Sequence, residues 1–142
     1  MSIVRICAIA LIVDALLVTS FVAIGRRSHA ETADLAGFAS ALWPFLAALL
    51  LGWALSLAWR RPSGVLLPGL LIWGVTVGIG MVLRSVAGQG VQPSFVIVAG
   101  LVLAAFLLGW RLIALAVAAR GRRAADRPRR GGRRIEAQVQ AR

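Results

Sequence analysis

Between Ser94 and Arg120 the chain reads SFVIVAGLVLAAFLLGWRLIALAVAAR, apolar along nearly its whole length and interrupted by one charge, Arg111. About 20 such residues suffice to cross the hydrocarbon core of a bilayer. Lipid offers backbone N–H and C=O groups no partner, so a crossing segment of this kind must be a helix. Three more apolar blocks precede it. The pattern predicts an all-α membrane fold, a bundle of four transmembrane helices over about 3–24, 38–59, 65–83 and 95–119, with 1–119 as the membrane domain. Hydrophobic residues make up 60% of the 142 and charged residues 15%, too apolar and too sparsely charged for an ordinary soluble domain.

The first block, from Ile3, superficially resembles a secretory signal, with Ser28-His29-Ala30 as a small-x-small cleavage site. The apolar run is too long for that, Asp14 interrupts it, and Arg26-Arg27 lie just before the supposed cut. It reads as an uncleaved first transmembrane helix. Ser28 and Glu31 have capping-box spacing and Asp34 is placed to cap the second helix. Pro44 is expected in or near that helix's first turn, where proline is tolerated. Arg60-Arg61-Pro62-Ser63-Gly64 reads as a tight turn that makes helices two and three an antiparallel hairpin.

Orientation follows from the arginines. All the basic residues are arginine, and the net charge is +11. With both termini in the cytoplasm, the inner side holds Arg5, Arg60, Arg61 and the nine arginines from Arg120 onward, while the outer side holds Arg26, Arg27 and Arg84. The positive-inside bias therefore predicts a multi-pass protein of the bacterial inner membrane with cytoplasmic termini. The same charge could suggest nucleic acid, but its concentration at one membrane flank argues against that partner. Residues 120–142, rich in Arg, Gly and Pro and poor in apolar side chains, are expected to be a disordered tail that attracts anionic lipid. The single Cys7 excludes an intrachain disulfide and is expected as a packing residue near the inner end of helix one.

Two groups of polar residues stand out. Asp14 must lie near mid-membrane, because Arg26-Arg27 fix the outer end of its helix. An isolated charge there costs about 3 kcal/mol on insertion scales, so a partner is expected. Asp14 is nine residues from Arg5 and Arg111 nine from Arg120, on helices running in opposite directions. Both then sit about 13 Å above the inner surface, and an Asp14–Arg111 ion pair is geometrically allowed. Such a pair has two readings, a lock between helices one and four or part of a proton or ion path. The alternative for Arg111 is that helix four ends there and the side chain snorkels inward, although Leu112 to Ala119 is wholly apolar.

The second group is the outer cluster Arg26, Arg27, His29 and Arg84, a candidate receptor for an anion or a lipid head group. Its alternative is a solvated loop neutralised by Glu31 and Asp34. Gly74 and Gly78 form a GxxxG, and Ala48 with Gly52 a second small face, both suited to close helix packing or to a homodimer. Trp43, Trp59 and Trp110 fall near helix ends as interfacial anchors would; Trp53 and Trp73 fall deeper. There is no HExxH, phosphate loop or nucleophile triad, and one histidine cannot supply a metal cluster. The sequence points to no enzyme, cofactor or metal.

Phe21 with Gly25-Arg26-Arg27-Ser28-His29, Trp43-Pro44-Phe45, Gly52-Trp53, Trp73, Gly80-Met81 with Arg84, Ser94-Phe95 and Gly109-Trp110-Arg111 together resemble the actinobacteria-rich membrane family catalogued as domain of unknown function three-thousand-and-fifty-four. The likeness spans about residues 5–115. It implies a small multi-pass bacterial membrane protein with no assigned reaction, and it places Arg26, Arg27, His29, Arg84 and Arg111 within family motifs. The functional expectation is a non-enzymatic component that assembles with itself or with other membrane proteins. The rival is a small transporter or anion- or lipid-binding protein using the Asp14–Arg111 pair or the outer cluster.

Overall fold

The computed structural model describes residues 3–28, 34–60 and 68–125. These form four α-helices, α1 (Ile3–Ser28), α2 (Leu35–Leu55), α3 (Leu70–Val86) and α4 (Pro93–Ala125), with a 3-10 turn at Ala58–Arg60. By length and composition Val4–Arg27, Leu35–Leu55 and Pro93–Ala124 are long and apolar enough to cross a membrane. The 17 residues of α3 rise about 25 Å at 1.5 Å each, short of the roughly 30 Å core.

Helix boundaries differ from the expected ones for local reasons. Asp34 caps α2 by accepting a hydrogen bond from the Gly37 N–H, so the helix starts at Leu35 rather than 38. Pro44 consequently lies in its interior instead of its first turn. A proline there leaves the carbonyl four residues back without its helical donor. That carbonyl belongs to Ser40, and the Gln89 Nε2 supplies the missing bond at 2.6 Å. At its other end α2 stops at Leu55 rather than 59, because Leu57 takes a left-handed φ of 50°, a conformation unfavourable for a side chain with a Cβ.

Helix α3 (Leu70–Val86) ends three residues beyond the expected Leu83; the expected start at Val65 lies outside the described residues. Residues 61–67, which include most of the expected tight turn, lie outside the described residues, as do His29, Glu31 and everything beyond Ala125. Helix α4 starts on Pro93, whose missing N–H is harmless in a first turn, and runs through Arg111 and Arg120 to Ala125. The alternative in which it ends at Arg111 is excluded, and the first six residues assigned to a disordered tail are helical.

The chain divides into two units, 1–112 and 113–142. The second, as far as it is described, is the final stretch of α4, with Leu115, Val117 and most of its other side chains exposed. In the first, α2 and α3 pack antiparallel. A Cβ on Gly52 would lie 3.1 Å from the Ile72 Cα, and one on Gly80 would lie 2.8 Å from the Phe45 ring. Ile72, Thr76 and Gly80 form the buried stripe of α3. Gly74 and Gly78 are two residues out of step with it, about 200° round the helix, and meet nothing within 4 Å. The GxxxG is thus not the packing face of the hairpin; Gly52, with buried Ala48 one turn away, and Gly80 are.

Candidate functional site

Asp14 and Arg111 are both completely buried, and the structure brings them together as a two-pronged pair. Arg111 Nη1 donates to Asp14 Oδ1 at 2.8 Å and Nη2 to Oδ2 at 2.7 Å. Two indoles complete the arrangement. Trp110 Nε1 donates to Oδ1 at 2.8 Å and Trp53 Nε1 to Oδ2 at 2.9 Å. A carboxylate has about four acceptor positions, and here each oxygen receives two donors from the chain itself. The two planar forks match in geometry.

The helices deliver these groups in register. Side chains on a helix lean toward its N-terminus, so Arg111 folds back one turn, where Nη1 also bonds the Leu107 carbonyl at 2.7 Å. Its guanidinium lies 4.7 Å from the centre of the Trp110 ring, a cation–π contact. One donor, Arg111 Nε, is buried without a partner. The knot ties α1, α2 and α4 at one level, and Trp73 joins α3 to α4 by donating to the Gly100 carbonyl at 2.9 Å. The Cys7 thiol donates to the Trp59 carbonyl, linking the start of α1 to the 3-10 turn that follows α2.

Trp110, expected as an interfacial anchor, is thus a donor to the buried acid, and Trp53 is more than packing. A buried indole N–H needs an acceptor, and Asp14 is the one acid within the four apolar blocks. That pairing rule was the signal available. Trp43 and Trp59 remain substantially exposed.

The outer cluster is not assembled as expected. Arg26 and Arg84 line a pocket of about 820 Å³ where α1 and α3 end and α2 and α4 begin. Arg27 is exposed and does not line it, and His29 lies outside the described residues. Arg84 donates from Nε to the Gly90 carbonyl at 3.2 Å and from Nη1 to Gln89 Oε1 at 3.0 Å. It also stands 4.7 Å over the Phe95 ring. Gly88 and Gly90, both at φ 70°, let the loop fold back beneath it. The Arg26 guanidinium lies against Gly37 beside the Asp34 carboxylate. Phe21, Phe45 and Phe95 meet edge-on or tilted, with centroids 5.6 to 6.4 Å apart, and form the apolar floor. Among the described residues no group of three His, Cys, Asp or Glu side chains is placed to hold a metal ion.

Residues 11–114 match the family described as Protein of unknown function (DUF3054). The chain belongs to this family. The match starts later than the resemblance, which spans about 5–115, so Arg5 falls outside the matched segment. It contains Asp14, Trp53, Trp110, Arg111, Arg26 and Arg84, so both clusters belong to the shared part of the chain. The family's description assigns no activity. No curated protein and no solved structure matches the chain.

Proposed function

We propose that this protein is a non-enzymatic, multi-pass component of a bacterial inner membrane, working by assembly with other membrane proteins or with a second copy of itself. In this reading all four helices cross, both termini are cytoplasmic, and the arginine-rich end rests against anionic lipid.

The observation that carries the reading is the closure of the Asp14 carboxylate. A group that carries protons or ions needs a vacant lone pair and a path to water. Asp14 has four donors on its two oxygens and no exposed surface. Such a knot fixes three helices in one register, the best-attested use of a buried ionic pair. Outside it, Leu16, Leu101 and other large apolar side chains face outward, as surfaces for lipid or partner helices.

Gentle detergent extraction followed by native mass spectrometry tests the reading. The expected result is a stoichiometric protein partner, either a second copy or another membrane protein. A chain that emerges alone contradicts it, as does a proton flux in reconstituted vesicles that Asp14→Asn abolishes.

A further inference from the structure

The pocket where α1 and α3 end and α2 and α4 begin plays no part in the assembly reading and depends only on the chain spanning a membrane. We propose that it holds an uncharged amphiphile drawn from the bilayer, an apolar chain carrying a hydroxyl, ester or amide head. Its volume of about 820 Å³ lies within the 300–1,000 Å³ typical of small-ligand sites.

The apolar side is built in advance. Phe21, Phe45 and Phe95 meet edge-on or tilted and line it together with Val22 and Ala41. Phe45 is seated against Gly80, where a Cβ would lie 2.8 Å from the ring, so only a residue without a side chain lets the ring sit that deep. On α4, Ser94 and Val98 line the pocket, and Val98 and Leu101 are both more than half exposed. These three residues follow one another at helical spacing, so the exposed apolar face of α4 runs into the pocket. In a membrane that face meets acyl chains, which gives an apolar body a sideways way in.

The head is chosen by the neutral groups of the wall. Arg84 commits Nε to the Gly90 carbonyl, Nη1 to Gln89 Oε1 and its face to the Phe95 ring. The Arg26 guanidinium lies against Gly37 beside the Asp34 carboxylate. Both arginines are thus engaged within the chain and form part of the wall. The Gln92 amide and the Ser94 hydroxyl also line the pocket, and among the described residues neither side chain takes a hydrogen bond. An uncharged head can exchange hydrogen bonds with them, whereas an ionised one would leave water for an aromatic floor and neutral partners.

The test uses the full chain in phosphatidylcholine nanodiscs with a diazirine-bearing decanol, photolysed and mapped by peptide mass spectrometry. Saturable labelling is expected within 21–26, 40–45 and 94–98, displaced by unlabelled decanol. At equal content in the disc, decane should compete at least about tenfold less well, for want of the bonds to its head. Decanoate should be weaker by a similar factor. Ala41→Phe, which fills the pocket, should cut the labelling about tenfold or more, while Leu16→Phe, exposed and off the pocket, leaves it unchanged. Should Ala41→Phe fail to fold, Ser94→Ala at an exposed position replaces it, with decanol expected to compete about threefold to tenfold less well. The proposal is overturned by labelling that does not saturate or that spreads evenly over the exposed helix faces. It is overturned equally by decane or decanoate competing as well as decanol, by labelling of Ala41→Phe at the unsubstituted level, or by unchanged competition in Ser94→Ala.

Discussion

The two polar clusters of this chain use the same ingredients to opposite ends. At Asp14 one acid is surrounded by donors of its own chain until each oxygen has two, and the group is fully buried. At Arg84 and Arg26 the cations line an open pocket where two helices end and two begin. A carboxylate whose acceptor positions are all filled by its own chain holds helices together, whereas the second cluster keeps open volume beside its polar groups. Charge within a membrane domain is thus not functional merely by being there; what differs between the two clusters is whether it is closed in or stands beside open volume.

The largest effect that would break this contrast concerns the acid itself. Asp14→Leu strands the buried guanidinium and two indoles, and should destabilise the fold by about 3–5 kcal/mol, read as a drop in thermal midpoint in detergent. Arg84→Gln, measured alongside, should cost at most about 1 kcal/mol, because its group is partly exposed. Equal losses would erase the distinction between lock and pocket. A smaller effect belongs to the indoles. Trp53→Phe and Trp110→Phe each remove one hydrogen bond to a charged acceptor, and each should cost about 1.5–3 kcal/mol by the same measurement; a neutral Trp110→Phe would return that residue to the role of interfacial anchor.

The smallest effect sharpens the boundary between knot and pocket floor. Gly80→Ala drives a methyl into Phe45, which is held between Phe21 and Phe95, and should cost about 1–3 kcal/mol. Gly78→Ala, facing open space, should be neutral or stabilise by about 0.5–1 kcal/mol through helix propensity. The reverse order would put the GxxxG back at the packing face.

Sequence periodicity carries the helical architecture well, because lipid leaves the backbone few choices. The meeting of Asp14 and Arg111 is legible by counting residues from flanking arginines, since helical rise is uniform. Rotation about a helix axis is not recoverable in the same way. Gly74-Gly78 and Ile72-Thr76-Gly80 have the same four-residue spacing, and the contacts of Gly52 with Ile72 and of Phe45 with Gly80 decide which stripe faces α2. The pocket was harder still. Its shape depends on Pro44 lying inside a helix whose start is set by the Asp34 cap, and on a loop folded back through two left-handed glycines. Arg27 and Arg26 are adjacent in sequence, yet only one lines the pocket.

The central claim, that Asp14 and Arg111 lock helices rather than conduct, is tested most directly by a double-mutant cycle on thermal unfolding with Asp14→Leu, Arg111→Met and the two combined. A lock predicts that each single variant loses several kcal/mol and that the double variant, having no stranded charge, regains much of the loss. A double variant as unstable as the sum of the two singles would contradict the claim, because it would mean that the acid and the base act separately.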